Sequence, residues 1–531
     1  MNPTATRIAP VDPKALPEYA PTAYVDFSQH EHRAAYEQAI AAVRAAAGEE
    51  HPLVIGGERL KGAGAFATTN PARPTETLAT FQLGTKEQAV QAIEAAAKAF
   101  PSWSRVPAAE RAAYLIEAAR RMRERRHHFS AWMTLEAGKS WAEADADTAE
   151  AIDFMEFYAR EALRYAAPQP VHQMPGERDA LVYIPIGVGA VIPPWNFPLA
   201  ICVGMTTAAL VTGNTVVLKP ASDTPGIAWQ FVRLMEEVGL PPGVLNFLTG
   251  SGAAIGDTIV THPRVRFVSF TGSKEVGIRI NRLAAEVQPG QMWLKRVVAE
   301  MGGKDGIIVD DEADLDAAVE GVTLSAFGFQ GQKCSACSRA IVHERLYDAF
   351  VERLRARVDR IVVDEPEKPG TFMGPVINAG AKKKILEYVE TGKREGRLVA
   401  GGGPVPGLAG HFVQPTVIVD VRPDAVIMQE EIFGPVLAVT KVRSFDEALE
   451  VANGTEYGLT GAVYTRNPAK IERAKAEFHV GNLYINRKCT GAIVGCHPFG
   501  GFNMSGTDSK AGGRDYLLLF LQAKSIAEKL G

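Results

Sequence analysis

At 531 residues the chain is too long for a single core, since hydrophobic cores stop growing at about 250–300 residues; two or three domains are expected. Hydrophobic residues at 46% and charged residues at 22% exclude a disordered chain, a coiled coil or a collagen-like rod. The formal net charge of -4 gives no global reason to hold nucleic acid or an anionic membrane, which turns attention to small-molecule chemistry.

In chain order, the first 30 residues carry Asp12, Glu18 and Asp26 and no continuous apolar core, unlike a secretory signal or an acid-poor transit peptide. No segment anywhere reaches the roughly 18 uninterrupted apolar residues of a membrane span. The five cysteines (Cys202, Cys334, Cys337, Cys489, Cys496) are few and odd in number, which suits reduced thiols better than a disulfide framework. A soluble cytoplasmic protein is expected. Glu31 to Ala47 is alanine-rich and reads as a helix, Leu53 to Thr80 as short strands, and Lys86 to about Tyr165 as a helical layer.

From Leu181 onward short β-branched runs alternate with helix-length intervals. Thr215–Leu218, Val244–Leu248, Val265–Phe270 and Ile307–Val309 read as one series of strands, and Arg339–Val342, Val436–Val442 and Gly461–Tyr464 as a second. Such spacing calls for parallel pairing with right-handed crossovers, hence a doubly wound α/β sheet with ligands at the carboxyl ends of its strands. Gly401–Gly403 with Pro404 and Pro406 marks a surface loop. Tyr516–Leu521 reads as an edge strand or short helix whose exposed position suggests a subunit contact.

Three stretches bear chemistry: Pro194-Trp195-Asn196-Phe197, Glu300-Met301-Gly302-Gly303-Lys304, and Gly328-Phe329-Gln330-Gly331-Gln332-Lys333-Cys334. A cysteine after a Gly-Gln-rich turn can be accessible and close to backbone donors, which lowers a thiol's pKa and makes Cys334 a candidate nucleophile. Cys334 and Cys337 also form a C-x-x-C pair, which admits a redox motif or half a metal site. A zinc site would want a second close pair, and Cys489 and Cys496 stand seven apart, so no metal is expected.

Taken together, the motifs resemble the aldehyde dehydrogenase superfamily. Pro-Trp-Asn-Phe-Pro, Leu218-Lys219-Pro220-Ala221-Ser222, Phe270-Thr271-Gly272-Ser273, Glu300-Met301-Gly302-Gly303-Lys304, Gly331-Gln332-Lys333-Cys334 and Glu431-Ile432-Phe433-Gly434-Pro435 occur in that family's order across residues 50–525. The resemblance implies an α/β fold with a Rossmann-type NAD(P)-binding domain (40–163 and 187–303), an α/β catalytic thiol domain (304–481), and an oligomerisation arm (164–186 and 482–531) carrying a substrate-anchor loop near 490–500. It implies that Cys334 attacks an aldehyde, that Asn196 and the Cys334 N–H hold the oxyanion, and that Glu300 is the general base for thioester hydrolysis. Lys219 is expected to orient Asn196 and touch the cofactor ribose.

Gly250-Ser251-Gly252 with Gly256 misses the G-x-G-x-x-G fingerprint by one residue. The resemblance instead places the cofactor on Pro194, Trp195, Lys219, Phe270, Thr271, Gly272, Ser273 and Gly277, with Glu431 and Phe433 at the nicotinamide ribose. NAD is the expected cofactor. NADP stays open, because many NAD-preferring relatives carry a glutamate where this chain has Ser222.

Within the superfamily the chain looks most like the L-glutamate γ-semialdehyde dehydrogenases, on the runs Phe327–Ala336, Phe478–Tyr484 and Thr490–Gly501. That implies a small zwitterionic aldehyde, its carboxylate anchored by Ser335, Gly491 and Ala492 in the field of Lys333, its stem between Phe197 and Phe499, with Glu150 lining the pocket. A homo-oligomer, at least a dimer, is implied. A dehydrogenase for another semialdehyde, such as succinate semialdehyde, or a nicotinamide-independent cysteine hydrolase would share the thiol; the latter needs a histidine base, and His343 is isolated.

Overall fold

The β-branched runs form two seven-stranded sheets in a computed structural model that describes residues 8–531. Residues 1–7, part of the N-terminal stretch read above, lie outside the described residues. The first sheet runs Arg296–Glu300, Val265–Thr271, Val188–Ile192, Thr215–Leu218, Leu245–Phe247, Leu53–Ile55, Glu58–Leu60. Its first five strands are parallel, and the last two join antiparallel. The strand order turns back between Val188–Ile192 and Val265–Thr271, so the sheet is doubly wound and the crevice for a ligand opens beyond the carboxyl ends of those two strands.

The second sheet runs Arg397–Ala400, Thr416–Val419, Val436–Val442, Cys337–His343, Asp305–Val309, Thr460–Tyr464, Asn482–Ile485, parallel throughout except for the first pair. Two expectations change here. Ile307–Val309, read as continuing the first series, is the heart of a strand in the second sheet. Only Met301–Lys304 separate it from Arg296–Glu300, too few for the dozen or so residues that a parallel return within one sheet requires. Asn482–Ile485, grouped with the arm, is instead the edge strand beside Thr460–Tyr464.

The helical layer predicted between Lys86 and Tyr165 comprises Lys86–Trp103, Ala108–Glu124, Arg126–Ala137 and Trp141–Ala166. Thr85 and Gln88 cap the first of these reciprocally. Buried Trp103, Phe129, Tyr158, Phe231 and Phe267 join this layer and the helices that flank the first sheet in one core. Tyr516–Phe520 is a 3₁₀ turn and Leu521–Lys529 a strand, paired antiparallel with Glu177–Pro185. Tyr516, Leu517 and Phe520 are not exposed; they fill the core against Tyr158 and Phe267, whose rings need that apolar cover. Among the described residues no helix is long and apolar enough to cross a membrane.

Candidate active site

Cys334 stands at the end of a strained turn. After the helix Leu315–Phe327, three successive residues, Phe329, Gln330 and Gly331, have positive φ (48°, 56° and 67°). Two of them are not glycine, a backbone state that persists only when its surroundings enforce it. Gln330 Nε2 donates to the Gly138 and Pro375 carbonyls (3.0 and 2.7 Å), and Gln332 Oε1 accepts from the Ile377 N–H (2.9 Å). Gly331 lies against the Gly434 carbonyl, where a Cβ has no room. The two glutamines expected to make the cysteine's flank accessible are therefore buried, and they hold the turn.

Two cavities meet at Cys334, Phe270 and Thr271. The first opens at the carboxyl ends of the first sheet and is lined by Pro194, Trp195, Asn196, Gly272, Ser273, Glu431 and Phe433. Trp195 and Phe433 pack edge to face, 5.4 Å between centroids, and Glu431 Oε1 accepts from the Gly303 N–H at 3.0 Å. Ser273 caps the helix Lys274–Ala285 through Val276. The second cavity lies beyond the thiol and gathers Glu150, Phe197, Ser335, Gly491, Ala492 and Phe499.

Buried Asn196 donates from Nδ2 to the Gln332 carbonyl at 3.1 Å, which aims its amide at the wall that carries Cys334. The expected depression of the thiol's pKa does not occur. Burial pushes it up, and Asp305, Glu431 and Glu300 add to the rise, while the Ser335 N–H opposes it. The resting sulfur is a neutral thiol that needs a base.

Glu300 is the last residue of the edge strand Arg296–Glu300 and lines the second cavity. Its Oε1 accepts from Ser509 Oγ (2.8 Å) and the Ser509 N–H (3.3 Å), and its Oε2 from the Gly501 N–H (3.0 Å). Burial raises its pKa to about 7 against those donors. Gly500 and Gly506 make the space; a Cβ on Gly506 would lie 2.8 Å from Oε1. A carboxylate and a thiol on one cavity, the former with a pKa near neutrality, are the two groups that a base and nucleophile pair requires.

The chain matches the aldehyde dehydrogenase family model over residues 60–526. It belongs to that family. It is 57% identical over 505 residues, 95% of this chain and 98% of the relative, to a protein of Geobacillus thermodenitrificans (strain NG80-2) named 1-pyrroline-5-carboxylate dehydrogenase. A 1-pyrroline-5-carboxylate dehydrogenase from Thermus, solved with bound NAD, superposes with a TM-score of 0.95 at 48% identity, covering 97% of this chain and all of the other. The betaine aldehyde dehydrogenase of Staphylococcus aureus, solved in complex with NAD, superposes at 0.87 with 32% identity, covering 93% of this chain and 98% of that one.

Against this family frame, four residues singled out in the sequence stand apart from both cavities. Lys219 does not bond to Asn196; its Nζ donates to the Pro220 carbonyl at 3.3 Å, and burial lowers its pKa to about 8. Ser222 is exposed and lines neither cavity. Gly277 lets its helix close on Met301, whose Cγ a Cβ there would approach to 2.8 Å. Lys333 is absent from the lining of the second cavity and pairs instead with half-buried Glu143 at 2.7 Å, which gives that carboxylate a counter-charge.

Other residues come to the site unannounced. Phe154 and Tyr158 extend the face of Glu150 along the helix Trp141–Ala166, and their spacing of four residues was a legible signal. Tyr516 and Ala511 reach the second cavity only through long-range folding. Lys139 and Asp147 are fully buried and 2.9 Å apart, and the ammonium also meets the rings of Phe197 and Phe329, 4.1 and 4.4 Å from their centroids. Glu150 is held largely neutral near pH 7, its pKa raised to about 8 by burial and by Asp147.

Proposed function

We propose that this chain oxidises L-glutamate γ-semialdehyde, the open form of 1-pyrroline-5-carboxylate, to L-glutamate, with NAD as hydride acceptor, in the second step of proline breakdown. The observation that carries the reading is the second cavity. Ser335 Oγ and the N–H groups of Gly491 and Ala492 make no hydrogen bond to the rest of the described chain, and all three residues line the space beyond Cys334. Phe197 and Phe499 line the same space and suit a methylene stem. The names of its relatives, one of them solved with bound NAD, point to the same substrate and cofactor.

The first cavity fits a nicotinamide dinucleotide: Gly302 has no Cβ to press on the Glu431 carboxylate, and the start of the helix Lys274–Ala285 faces the opening. When bound, the dinucleotide supplies the hydride acceptor. Glu300 takes the proton of Cys334 Sγ, and the sulfur forms a bond to the aldehyde carbon. The Asn196 amide and the Cys334 N–H donate to the oxyanion that results. Loss of hydride from that carbon leaves a thioester. Glu300, having released the thiol proton to solvent, then removes a proton from the attacking water, the C–S bond breaks with the sulfur taking that proton back from Glu300, and glutamate leaves as its carboxylate, its own proton passing to solvent.

The reading extends to a homo-oligomer, at least a dimer, located in the cytoplasm. In support, the ribbon of Glu177–Pro185 with Leu521–Lys529 presents a long exposed strand, and all five cysteines are free. The deciding experiment follows reduced nicotinamide from 1-pyrroline-5-carboxylate with wild type and Cys334→Ala. Activity in the wild type alone is expected; a wild type inert with both NAD and NADP would sink the proposal.

A further inference from the structure

The Gly491 and Ala492 donors have to be aimed, because a glycine-bearing loop has no intrinsic preference for one peptide orientation. The loop is gripped through its carbonyls. Arg487 Nη2 donates to the Thr490 and Gly491 carbonyls at 3.1 and 3.0 Å. A trans peptide is planar, with its C=O and the following N–H pointing in opposite directions. Bonding the Thr490 carbonyl therefore turns the Gly491 N–H the other way, and bonding the Gly491 carbonyl does the same to the Ala492 N–H. Arg487 is itself seated, its guanidinium carbon 4.4 Å from the centroid of Tyr484.

A second grip comes from a distant part of the chain that precedes the family match at residue 60. Residues 17–25 lie along the helix Trp141–Ala166: the Thr22 and Val25 N–H groups donate to buried Asp153 and Asp145 (2.8 and 2.9 Å), and Arg160 Nη2 donates to the Pro17 carbonyl (3.0 Å). Within this strap Tyr19 OH donates to the Val494 carbonyl at 2.9 Å, and its ring packs edge to face on Phe157, 5.1 Å between centroids. Gly495, at φ 77°, closes on that ring; a Cβ there would sit 2.8 Å from Tyr19 Cε1. The Ile493 carbonyl between the two grips accepts from the Cys496 and His497 N–H groups (3.0 and 2.8 Å).

We infer that Arg487 and Tyr19 are positioning residues for substrate specificity: from behind the loop they hold the Gly491 and Ala492 N–H groups toward the second cavity, where they receive the carboxylate of an amino-acid aldehyde. Neither side chain lines the cavity. The inference rests on the proposed glutamate semialdehyde reading. It separates carboxylated from plain aldehydes, because an alkanal has nothing for those donors to hold.

The test compares kcat/KM for 1-pyrroline-5-carboxylate and for propanal in wild type, Tyr19→Phe, Arg487→Met and Arg487→Lys, with thermal melting as a check on folding. Tyr19→Phe loses one hydrogen bond, so the ratio of the two constants should fall about 3- to 10-fold, through KM rather than kcat. Arg487→Met should lower it about 10- to 100-fold, and Arg487→Lys, which keeps a cationic donor, should recover part of the loss. A variant whose ratio stays at the wild-type value, or whose activity falls equally on both substrates, overturns the assignment for that residue. A wild type that oxidises propanal but not 1-pyrroline-5-carboxylate overturns the proposed function and this inference with it.

Discussion

The two seven-stranded sheets are written in the same pattern of β-branched runs and return helices, yet they present opposite ends to the site. The first offers its carboxyl ends: Pro194–Asn196 follow the strand Val188–Ile192, and Gly272-Ser273 follow Val265–Thr271. That is the rule for a ligand in a doubly wound sheet. The second offers an amino end, since Cys334 precedes the strand Cys337–His343 on a turn with two non-glycine residues at positive φ. Carboxyl ends supply a rigid rim of backbone for a cofactor, whereas the nucleophile needs a side chain thrust into the gap between the sheets, at the cost of local strain. The chain passes from one sheet to the other through Met301–Lys304, so Glu300 at the end of the first sheet and Cys334 before the second line one cavity.

Breaking the second sheet's contribution should have the largest effect. Cys334→Ala is expected to remove turnover by about 10⁴-fold or more, read as reduced nicotinamide, because no other group supplies the nucleophile. Residual activity near wild type would move the nucleophile off this turn. The first sheet's edge comes next. Glu300→Gln should lose the fast burst of reduced nicotinamide together with about 10²- to 10⁴-fold of steady turnover. If the burst survives while steady turnover falls, Glu300 serves hydrolysis alone and another base takes the thiol proton.

The raised pKa of Glu300 also fixes a pH profile. A general base acts deprotonated, so with its pKa at about 7 turnover should climb as pH rises toward 7 and level off above it. Glu300→Gln should flatten that limb; a limb that survives belongs to another group. Asn196, on the rim of the first sheet, holds charge that exists only in the transition state, so Asn196→Ala should cost about 10²- to 10³-fold in kcat with little change in KM. The smallest effect belongs to the anchor. Ser335→Ala should raise KM for glutamate semialdehyde about 10-fold and leave propanal unchanged, whereas equal KM changes for both would remove Ser335 from the carboxylate.

Much of this was legible because it is local. The strands Thr215–Leu218 and Val436–Val442 have the boundaries that their β-branched runs predict, since hydrophobic patterning acts within a few residues. The groups on the rim of the cofactor cavity were legible for the same reason, as each comes from a short contiguous motif at the end of one strand or turn. The second cavity was less so. Glu150, Phe197, Ser335, and Gly491 with Phe499 come from four separate segments, and Tyr516 joins them only once the C-terminal turn has entered the core. Lys333 shows the limit most plainly, because its charge was visible and its partner Glu143 was not.

The sequence by itself determined the family and the fold class and singled out the proposed nucleophile, base and oxyanion donor, because those depend on residue type within short ordered motifs. Tertiary structure alone decided the ionisation of these groups and the aim of the loop donors. The Cys334 pKa rises where its neighbours in sequence suggested a fall, because burial and carboxylates from three other segments outweigh the local backbone donor. Ser222 and Gly277 leave the cavities, and Arg487 and Tyr19 gain a part in the substrate loop, for the same reason: electrostatics and hydrogen bonding follow distance in space, which the order of residues along the chain does not encode directly.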